Sequence, residues 1–282
     1  MIIIKLQGGI GNQMFQYAFG RSLSLKRKDS LRLDTCFYKN IKSGDTPREF
    51  KLNNFNIKAN IVETNSFSKS TKFLWKVVNG IGLKIHKDFH VRFHPLFLNM
   101  RTKKFIGFFQ SYKYFSDYEK EIREDLTLKI QLPEKAIELI EQIKNSASVS
   151  IHVRCGDYLT NKENLKNYGV CSPDHYQNAI SKIKEKIDKP IFYIFSDNIN
   201  WVKSNLKTDE NFIFVSDNNF DETVELELMS NCKNNIIANG SFSWWGAWLN
   251  KNHNKIVIAP RKWTNIANFD TIDLIPDDWI KI

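Results

Sequence analysis

The chain has 282 residues, 42% of them hydrophobic, so it can bury a large core, and its length favours two domains. The charged fraction of 26% and the mean hydropathy of -0.40 are typical of a soluble globular protein. No apolar run approaches the roughly 20 residues that span a bilayer, and the opening MIIIK is too short for a signal peptide, so we expect a cytoplasmic protein.

The formal net charge is +10, which fits nucleic acid, anionic lipid headgroups or anionic substrates as partners, or simply a lysine-rich solvated surface. Charge alone does not choose among them. The four cysteines are widely scattered, with no C-x-x-C pair and no histidine at metal-ligand spacing. This favours reduced structural thiols over disulfides or a metal site for Cys36, Cys155, Cys171 and Cys232.

The first half of the chain starts as a strand, a glycine turn, a helix and a second strand, predicted over 2–6, 8–12, 12–26 and 31–34. From 40 to 99 many Asn, Ser and Lys separate isolated aromatics, which predicts an irregular insertion, although KFLWKVVNGIGLKI is compatible with a helix. A strand over 103–110, a charged helix over about 114–125 and a crossing segment over 126–132 follow.

The second half alternates strands and helices. We predict strands over 148–154, 191–197, 212–216, 235–239 and 255–260, and helices that begin at Pro133, Pro173, Glu222 and Ser241. Short apolar strands separated by helices of about 10 to 15 residues indicate βαβ units and a parallel sheet. The fold class predicted is therefore α/β.

Polar side chains follow the strand over 148–154. Residues two apart on a strand point the same way, so His152 and Arg154 form a polar pair at the carboxyl end, where open α/β sheets bind ligands. The guanidinium fork of Arg154 suits phosphate oxygens. Asp157 follows Gly156 and can accept a proton or bond a hydroxyl, but a plain surface ion pair between Arg154 and Asp157 is an equal alternative.

Two further strand ends carry candidate groups. Asp197 either caps the following helix or accepts hydrogen bonds from a purine. Ser241, Phe242 and Ser243 open a helix, where free N–H groups and the helix dipole attract phosphate. The tryptophans of NGSFSWWGAWLN are spaced as a helix core, so the serines are the more informative part of this segment.

The N-terminal loop GGIGNQ is neither G-x-G-x-x-G nor a P-loop, which weakens dinucleotide binding and P-loop hydrolysis as functions. Asn12 and Gln13 are expected to face a cleft as neutral hydrogen-bonding groups. An arginine, two helix-start serines and a purine-compatible carboxylate at neighbouring strand ends together describe a nucleotide-diphosphate pocket in the second half, which a sugar nucleotide would fit.

The segments GGIGNQMFQYAFG, HVRCGDYL, FSDN, LMSNCKNNIIANGSFSWWGAWLN and APRKW resemble, in order, the motifs of bacterial α-1,2-fucosyltransferases of glycosyltransferase family eleven. The resemblance implies a GT-B architecture of two Rossmann-like doubly wound parallel-sheet domains facing a cleft. We expect an acceptor-side domain over 1–130, with the insertion at about 40–99, and a GDP-sugar-binding domain over 131–282.

The resemblance also implies an inverting, metal-free transfer of fucose from GDP-β-L-fucose to O2 of a terminal β-galactoside, with no cofactor. The absence of a D-x-D triplet is consistent with this. By position, Arg154 would hold the diphosphate, His152 and Asp197 would contact guanine or its ribose, and Ser241 to Ser243 would cradle the β-phosphate. Asn12 and Gln13 would lie near fucose or acceptor.

Two positions depart from the family pattern: Cys155 stands where a second arginine is usual, and Gly240 where serine is usual. By strand alternation Cys155 points away from Arg154. Our mechanistic hypothesis has the acceptor hydroxyl attack the fucose C1 as GDP leaves, with Arg154 and helix-start N–H groups stabilising the leaving group. Asp157 is the candidate base, and Asn12 is grouped with the catalytic residues.

Alternative functions are a transferase of another GDP-sugar or linkage, a lectin, or a basic nucleic-acid binder, although the aromatics sit in apolar helical patterns rather than on a predicted exposed face. We expect GDP-fucose and a β-galactoside glycan, such as an O-antigen or capsule precursor, as partners, and no nucleic acid. The positive charge also prompts the hypothesis of peripheral contact at the inner face of the cytoplasmic membrane, near a lipid-diphosphate-linked acceptor.

Overall fold

The computed structural model describes residues 1–39, 47–63, 67–85, 88–156, 162–206 and 211–282. It divides into two compact units. Unit 1 comprises Met1–Ile130 and Ala267–Pro276, and unit 2 comprises Gln131–Ile266 and Asp277–Ile282. The division after residue 130 coincides with the expected domain boundary, whereas the sequence placed 267–276 in the second domain.

The segment 267–276 belongs to unit 1 because a buried carboxylate holds it there. One oxygen of Asp273 accepts a hydrogen bond from the backbone N–H of Phe93 at 3.0 Å, and the other receives the Lys113 ammonium at 2.5 Å. Leu274 and Ile275 beside it are fully buried. These partners lie more than a hundred residues upstream, so local pattern did not indicate them.

Unit 1 contains a four-stranded parallel sheet in the order β3-β2-β1-β4. Three short 3₁₀ turns, at Leu52–Asn54, Tyr112–Tyr114 and Ser116–Tyr118, accompany its regular elements. The strands and helices are β1 Ile2–Lys5, α1 Ile10–Arg27, β2 Leu31–Asp34, α2 Cys36–Lys39, β3 Asn60–Val62, α3 Lys69–Ile85, α4 Pro95–Asn99, β4 Lys104–Ile106 and α5 Glu119–Asp125.

The prediction of an irregular insertion over 40–99 is wrong in part. This region supplies the edge strand β3 and the 17-residue helix α3, which contains the stretch that looked compatible with a helix. β3 escaped prediction because it is three residues long and largely exposed, so it shows no alternation of apolar and polar side chains.

Unit 2 contains a six-stranded parallel sheet in the order β10-β9-β8-β5-β6-β7. Its elements are α6 Glu134–Lys144, β5 Ser148–Val153, α7 Lys162–Asn167, α8 Pro173–Lys184, β6 Ile191–Ser196, α9 Ile199–Asn205, β7 Phe212–Phe214, α10 Glu222–Asn231, β8 Asn234–Ile236, α11 Ser241–Leu249, β9 Val257–Ala259 and β10 Ile280–Lys281.

The fold class predicted from the sequence is confirmed: each unit is a Rossmann-like α/β body with a parallel sheet. In unit 2 all six residues of the central strand β5 are buried, as expected for a parallel strand covered on both faces. Cys155 is fully buried within the same core, so its predicted inward direction is also confirmed. The four cysteines are free thiols. Among the described helices, none has the length and apolarity needed to cross a bilayer.

Candidate functional site

The sheet of unit 2 has a topological switch point between β5 and β8. From β5 the chain continues to β6 on one side, and β8 leads to β9 on the other. Ligands of open α/β sheets bind in the crevice outside the carboxyl ends of such a strand pair. Arg154 follows β5 there, and Gly240 and Ser241 precede and begin α11 after β8.

Arg154 lies at this crevice beside a carboxylate from the next strand. Its Nη1 atom is 3.7 Å from Oδ2 of Asp197, and its side chain is 18% exposed. The same carboxylate accepts two backbone hydrogen bonds through Oδ1, from the N–H groups of Cys155 and Gly156, each at 2.9 Å. Asp197 therefore ties the turn after β5 to the end of β6 and restrains the guanidinium.

This geometry resolves one of the two alternatives raised for these residues, the helix cap by Asp197. The other, an ion pair between Arg154 and Asp157, involves a residue outside the described ones. Asp197 does not cap α9, because the side chain of Asn198 does so by accepting the N–H of Trp201 at 3.1 Å. Arg154 has Asp197 as an ion-pair partner. The proposed base, Asp157, lies outside the described residues, so its predicted role stays a prediction.

Gly156 lies close to the Asp197 carboxylate. A Cβ atom at position 156 would lie 3.0 Å from both Cγ and Oδ2 of Asp197, tighter than most Cβ contacts, so the carboxylate would have to shift by a few tenths of an ångström. The glycine thus lets the carboxylate approach the backbone of the turn.

His152 is buried rather than open to the crevice, with 4% of its surface exposed. Its ring lies edge-on against Phe242, with ring centroids 5.3 Å apart. Burial, together with the nearby Arg154 charge, holds the pKa of His152 well below its ordinary value despite the opposing effect of Asp197. Nδ1 is buried and has no hydrogen-bond partner among the described residues. A neutral imidazole with a spare ring nitrogen thus lies just behind Arg154.

The start of α11 lies next to Arg154. A Cβ atom at Gly240, the residue before the helix, would be 3.5 Å from Cδ of Arg154, an ordinary contact, so the serine usual in the family would fit. Gly240, at the N-cap position, has no side chain to accept a hydrogen bond from the first N–H groups. The first N–H groups of a helix have no intrahelical partner and attract anions.

The helix-start residues differ in what they offer. Ser241 and Phe242 are partly exposed. Ser243 is buried, and its hydroxyl accepts the N–H of Ala238 at 3.2 Å. The hydroxyl thus links the segment after β8 to α11, and the predicted contact of Ser243 with phosphate would be made by its backbone N–H. Trp244, Trp245 and Trp248 are buried core, as predicted.

A cavity of about 390 Å³ adjoins the start of α11. Asn239, which precedes Gly240, lines it and donates hydrogen bonds to the carbonyls of Tyr168 and Trp263, at 3.1 and 3.2 Å. Lys262 of the APRKW motif and His175 at the start of α8 also line it. Nε2 of His175 is buried without a hydrogen-bond partner in the described part of the chain. The cavity is large enough for a small ligand.

Unit 1 has its own switch point between β1 and β4, where neutral amides meet. Oδ1 of Asn12, in the first turn of α1, accepts a hydrogen bond from Nε2 of Gln110, which follows β4, at 2.6 Å. Gly8 makes this possible, because it has φ +81° and a Cβ there would lie 2.6 Å from Nδ2 of Asn12. Asn12 is partly exposed at this edge.

Gln13 does not face a ligand, contrary to the prediction. It is fully buried, and Nε2 donates to the carbonyls of Gly8 and Glu49 at 3.1 and 2.7 Å. Oε1 accepts the N–H of Lys51 at 3.0 Å. The side chain therefore anchors the segment around residue 50 to α1.

That anchored segment brings a cation that sequence reasoning missed. A Cβ atom at Gly9, the residue before α1, would lie 3.7 Å from Cδ of Arg48. Arg48 is thus next to the glycine loop of unit 1. The sequence analysis overlooked Arg48 because it lies in the region expected to be irregular. Nothing in the local sequence except its positive charge marked it as a candidate site residue. The described residues contain no cluster of three or more His, Cys, Asp or Glu that could hold a metal ion.

Comparison with known proteins gives a family match over the full chain. The model of Glycosyl transferase family 11 matches residues 1–282. The chain is 36% identical to an α-1,2-colitosyltransferase of Escherichia coli, covering 100% of this chain and 99% of that protein. It is 33% identical to the O-antigen biosynthesis glycosyltransferase WbnK of Escherichia coli, covering 98% and 99%.

A more distant relative and a solved structure complete the comparison. Human galactoside α-(1,2)-fucosyltransferase 1 is 25% identical over 52% of this chain and 42% of that protein. The crystal structure of NodZ α-1,6-fucosyltransferase, an enzyme from Bradyrhizobium, soaked with GDP-fucose, aligns with a TM-score of 0.53 at 12% identity, covering 88% of this chain and 91% of that one. At this identity the likeness concerns the fold.

Proposed function

Because the chain belongs to glycosyl transferase family 11, we propose that it transfers L-fucose from GDP-β-L-fucose to O2 of a terminal β-galactoside, with inversion at the anomeric carbon. The observation that carries the proposal is the placement of Arg154, restrained by Asp197, beside the start of α11 at the switch point of unit 2. A restrained cation and a helix N-terminus together suit a diphosphate.

In the proposed reaction the acceptor hydroxyl attacks C1 of fucose, a C1–O2 bond forms, and the bond from C1 to the β-phosphate oxygen breaks. Negative charge grows on the departing GDP, where Arg154 and the N–H groups of Ser241, Phe242 and Ser243 stabilise it. The hydroxyl proton passes to a base, for which Asp157 is the candidate. No metal or cofactor takes part in this proposal.

The nucleoside would lie on the β6 side of Arg154, where Asp197 provides a carboxylate. The buried His152 would either hydrogen-bond the nucleoside through Nδ1 or position the Phe242 ring by packing against it. Asn12 and Arg48 of unit 1 are proposed as groups for fucose or the acceptor. The lectin alternative loses support, since six of the seven tryptophans, which would have to stack on a sugar, are buried.

The cavity lined by Asn239 and Lys262 lies on the β8–β9 side of Arg154, and we assign it to part of the acceptor glycan. A Tyr168→Ala variant tests this assignment, since Tyr168 lines the cavity and is 45% exposed. We expect its KM for the acceptor to rise several-fold with the KM for the donor unchanged. A rise in the KM for the donor with the KM for the acceptor unchanged would assign the cavity to the donor instead.

The test of the main proposal is an acceptor screen with GDP-fucose and terminal β-galactosides, followed by linkage analysis of the product. Thermal stabilisation by GDP alone is measured beside it, because ligand that binds only the folded state raises the melting temperature. A fucosylated product with a linkage other than to O2 would overturn the linkage. Absence of any GDP-induced stabilisation would overturn the nucleotide site.

A second candidate donor is GDP-colitose, favoured by the 36% identity to the α-1,2-colitosyltransferase. Colitose is L-fucose without its 3-hydroxyl group. A site that hydrogen-bonds this hydroxyl would reject colitose by a factor of about 10⁴, whereas an apolar site would reject fucose by only about 10². The ratio of kcat/KM for the two donors therefore distinguishes the candidates in both direction and size.

The candidate base is tested with Asp157→Asn, measured at saturating GDP-fucose. General-base catalysis contributes roughly 10²–10⁴ in rate, so a loss in that range is expected if Asp157 takes the proton. Nearly full kcat would mean that another group or solvent accepts it.

A further inference from the structure

Helix α3 of unit 1 carries an apolar face that is exposed to solvent. Phe73 is 68% exposed, Leu74 51%, Val77 39% and Ile81 53%. At 100° per residue these four side chains fall within one arc of the helix, which we call the α3 apolar face. Isolated exposed apolar residues are ordinary in soluble proteins, but a group sharing one helix face marks a contact surface.

A large buried side chain on the opposite side of α3 sets the orientation of the helix. Trp75 is buried, its indole N–H donates to the carbonyl of Lys104 at 2.9 Å, and its ring packs against Phe97 and Phe105. Because Trp75 holds the helix to β4, the α3 apolar face is held outward by tertiary packing.

Lysines border the α3 apolar face. Lys69 and Lys76 lie four and three residues from Phe73 on the helix, and both are exposed. The helix sequence from 69 to 85 contains no Asp or Glu. In the described parts of the chain, no acidic side chain forms an ion pair with Lys69, Lys72 or Lys76. The face is therefore cationic as well as apolar.

We propose that α3 is a membrane-surface helix, with the α3 apolar face inserted among the acyl chains of an anionic bilayer and its lysines at the headgroups. An apolar arc flanked by cations is the arrangement that lies in such an interface. Charge complementarity selects this occupant. A second copy of the face would bring lysines against lysines, whereas an anionic bilayer offers both apolar volume and negative charge.

The experiment is vesicle flotation with the full chain, comparing phosphatidylcholine vesicles with vesicles of equal parts phosphatidylcholine and phosphatidylglycerol. The wild-type protein is expected to float with the anionic vesicles only, and less as salt screens the lysines. Phe73→Ser should lower the partition coefficient about tenfold. Removing both charges with Lys69→Gln and Lys76→Gln should lower it about fivefold per lysine.

Matched control variants distinguish binding through the α3 apolar face from nonspecific hydrophobic or electrostatic binding elsewhere on the protein. Ile137, 49% exposed on α6 with Glu134, Glu138 and Glu141 nearby in sequence, supplies the apolar control Ile137→Ser. Lys182→Gln with Lys186→Gln on unit 2 supplies the charge control. Neither control should change flotation. Circular dichroism melting verifies that all variants are folded, and none of these readouts depends on the identity of the donor sugar.

Three outcomes would overturn the proposal. Wild-type binding that is no stronger to anionic than to neutral vesicles removes the role of the lysines. An equal loss in the Ile137→Ser control removes the role of α3. If Phe73→Ser converts a dimer into a monomer in light scattering and no vesicle binding occurs, the α3 apolar face is a contact between copies of the chain.

Discussion

Unit 1 and unit 2 both place their first strand between their second and fourth, so each sheet has a switch point, but different side chains follow the strands there. In unit 2 the strand ends carry a cation and a carboxylate, Arg154 and Asp197. In unit 1 they carry the amides Asn12 and Gln110, and the cation Arg48 arrives from a distant segment. The same topology thus builds one charged and one mainly neutral sheet edge.

The difference teaches that topology sets where a ligand can sit and the strand-end residues set which ligand it is. A diphosphate requires charge-assisted donors, which Arg154 provides at a rigid position. A sugar hydroxyl requires neutral donors and acceptors, which a carboxamide provides. We therefore expect variants of the two edges to affect different kinetic or stability parameters.

The largest effect is expected at the charged edge. Arg154→Lys keeps a positive charge but loses the planar fork, so kcat with GDP-fucose should fall about 10²–10³-fold. Asn12→Ala at the neutral edge should lower kcat about tenfold, which corresponds to the free energy of one ordinary hydrogen bond. Equal losses in the two variants, measured by steady-state kinetics, would break the distinction between the edges.

The next largest effect is expected on the pH dependence of stability, through the titration of Glu225 in unit 2. Burial raises the pKa of Glu225 from 4.5 to about 7, against the lowering effect of the Ser216 hydroxyl bonded to it at 2.6 Å. The folded state then binds more protons than the unfolded state between these values, so stability falls as pH rises through this window, by up to about 3 kcal/mol. In Glu225→Gln this fall should disappear from denaturant unfolding curves. Parallel curves for the variant and wild type would refute the assignment.

Gln13 and Asn12 are adjacent, yet they should separate stability from activity. Gln13→Ala removes the hydrogen bonds of a fully buried side chain to the Glu49 carbonyl and the Lys51 N–H, so the free energy of unfolding should fall by about 2 kcal/mol with kcat little changed. Asn12→Ala is expected to lower kcat with little change in the free energy of unfolding. If Gln13→Ala is as stable as the wild type but loses activity, Gln13 contacts a ligand and does not serve mainly to anchor the segment around residue 50.

The smallest effect is expected from the turn after β5. In Gly156→Ala the new methyl group would push the Asp197 carboxylate away from the Cys155 and Gly156 N–H groups, so KM for GDP-fucose should rise about tenfold, one lost hydrogen bond. Gly80→Ala is the matched control, because nothing lies within 4 Å of a Cβ there. If both variants keep wild-type KM, the turn does not position the site.

The sequence by itself determined the regular part of the fold and the identity of the strand-end groups. Most of the run from β5 to α11 could be predicted because central parallel strands and their covering helices carry strong periodic patterns, whereas the six-residue α7 was missed. Burial of Cys155 and of the tryptophans in α11 followed from the same local rules. Arg154, Asp197 and Ser241 could be chosen as candidates because ligand sites of parallel sheets lie at strand ends.

Only the tertiary structure decided which groups meet. Asp197 finds its partners, the N–H groups of Cys155 and Gly156, some 41 residues away, and Asp273 returns its segment to unit 1 across 160 residues to Lys113. Gln13 turns inward and Arg48 reaches the glycine loop because a long connection folds back on α1. Such pairings arise from long-range packing, which leaves no periodic trace in the sequence around either partner.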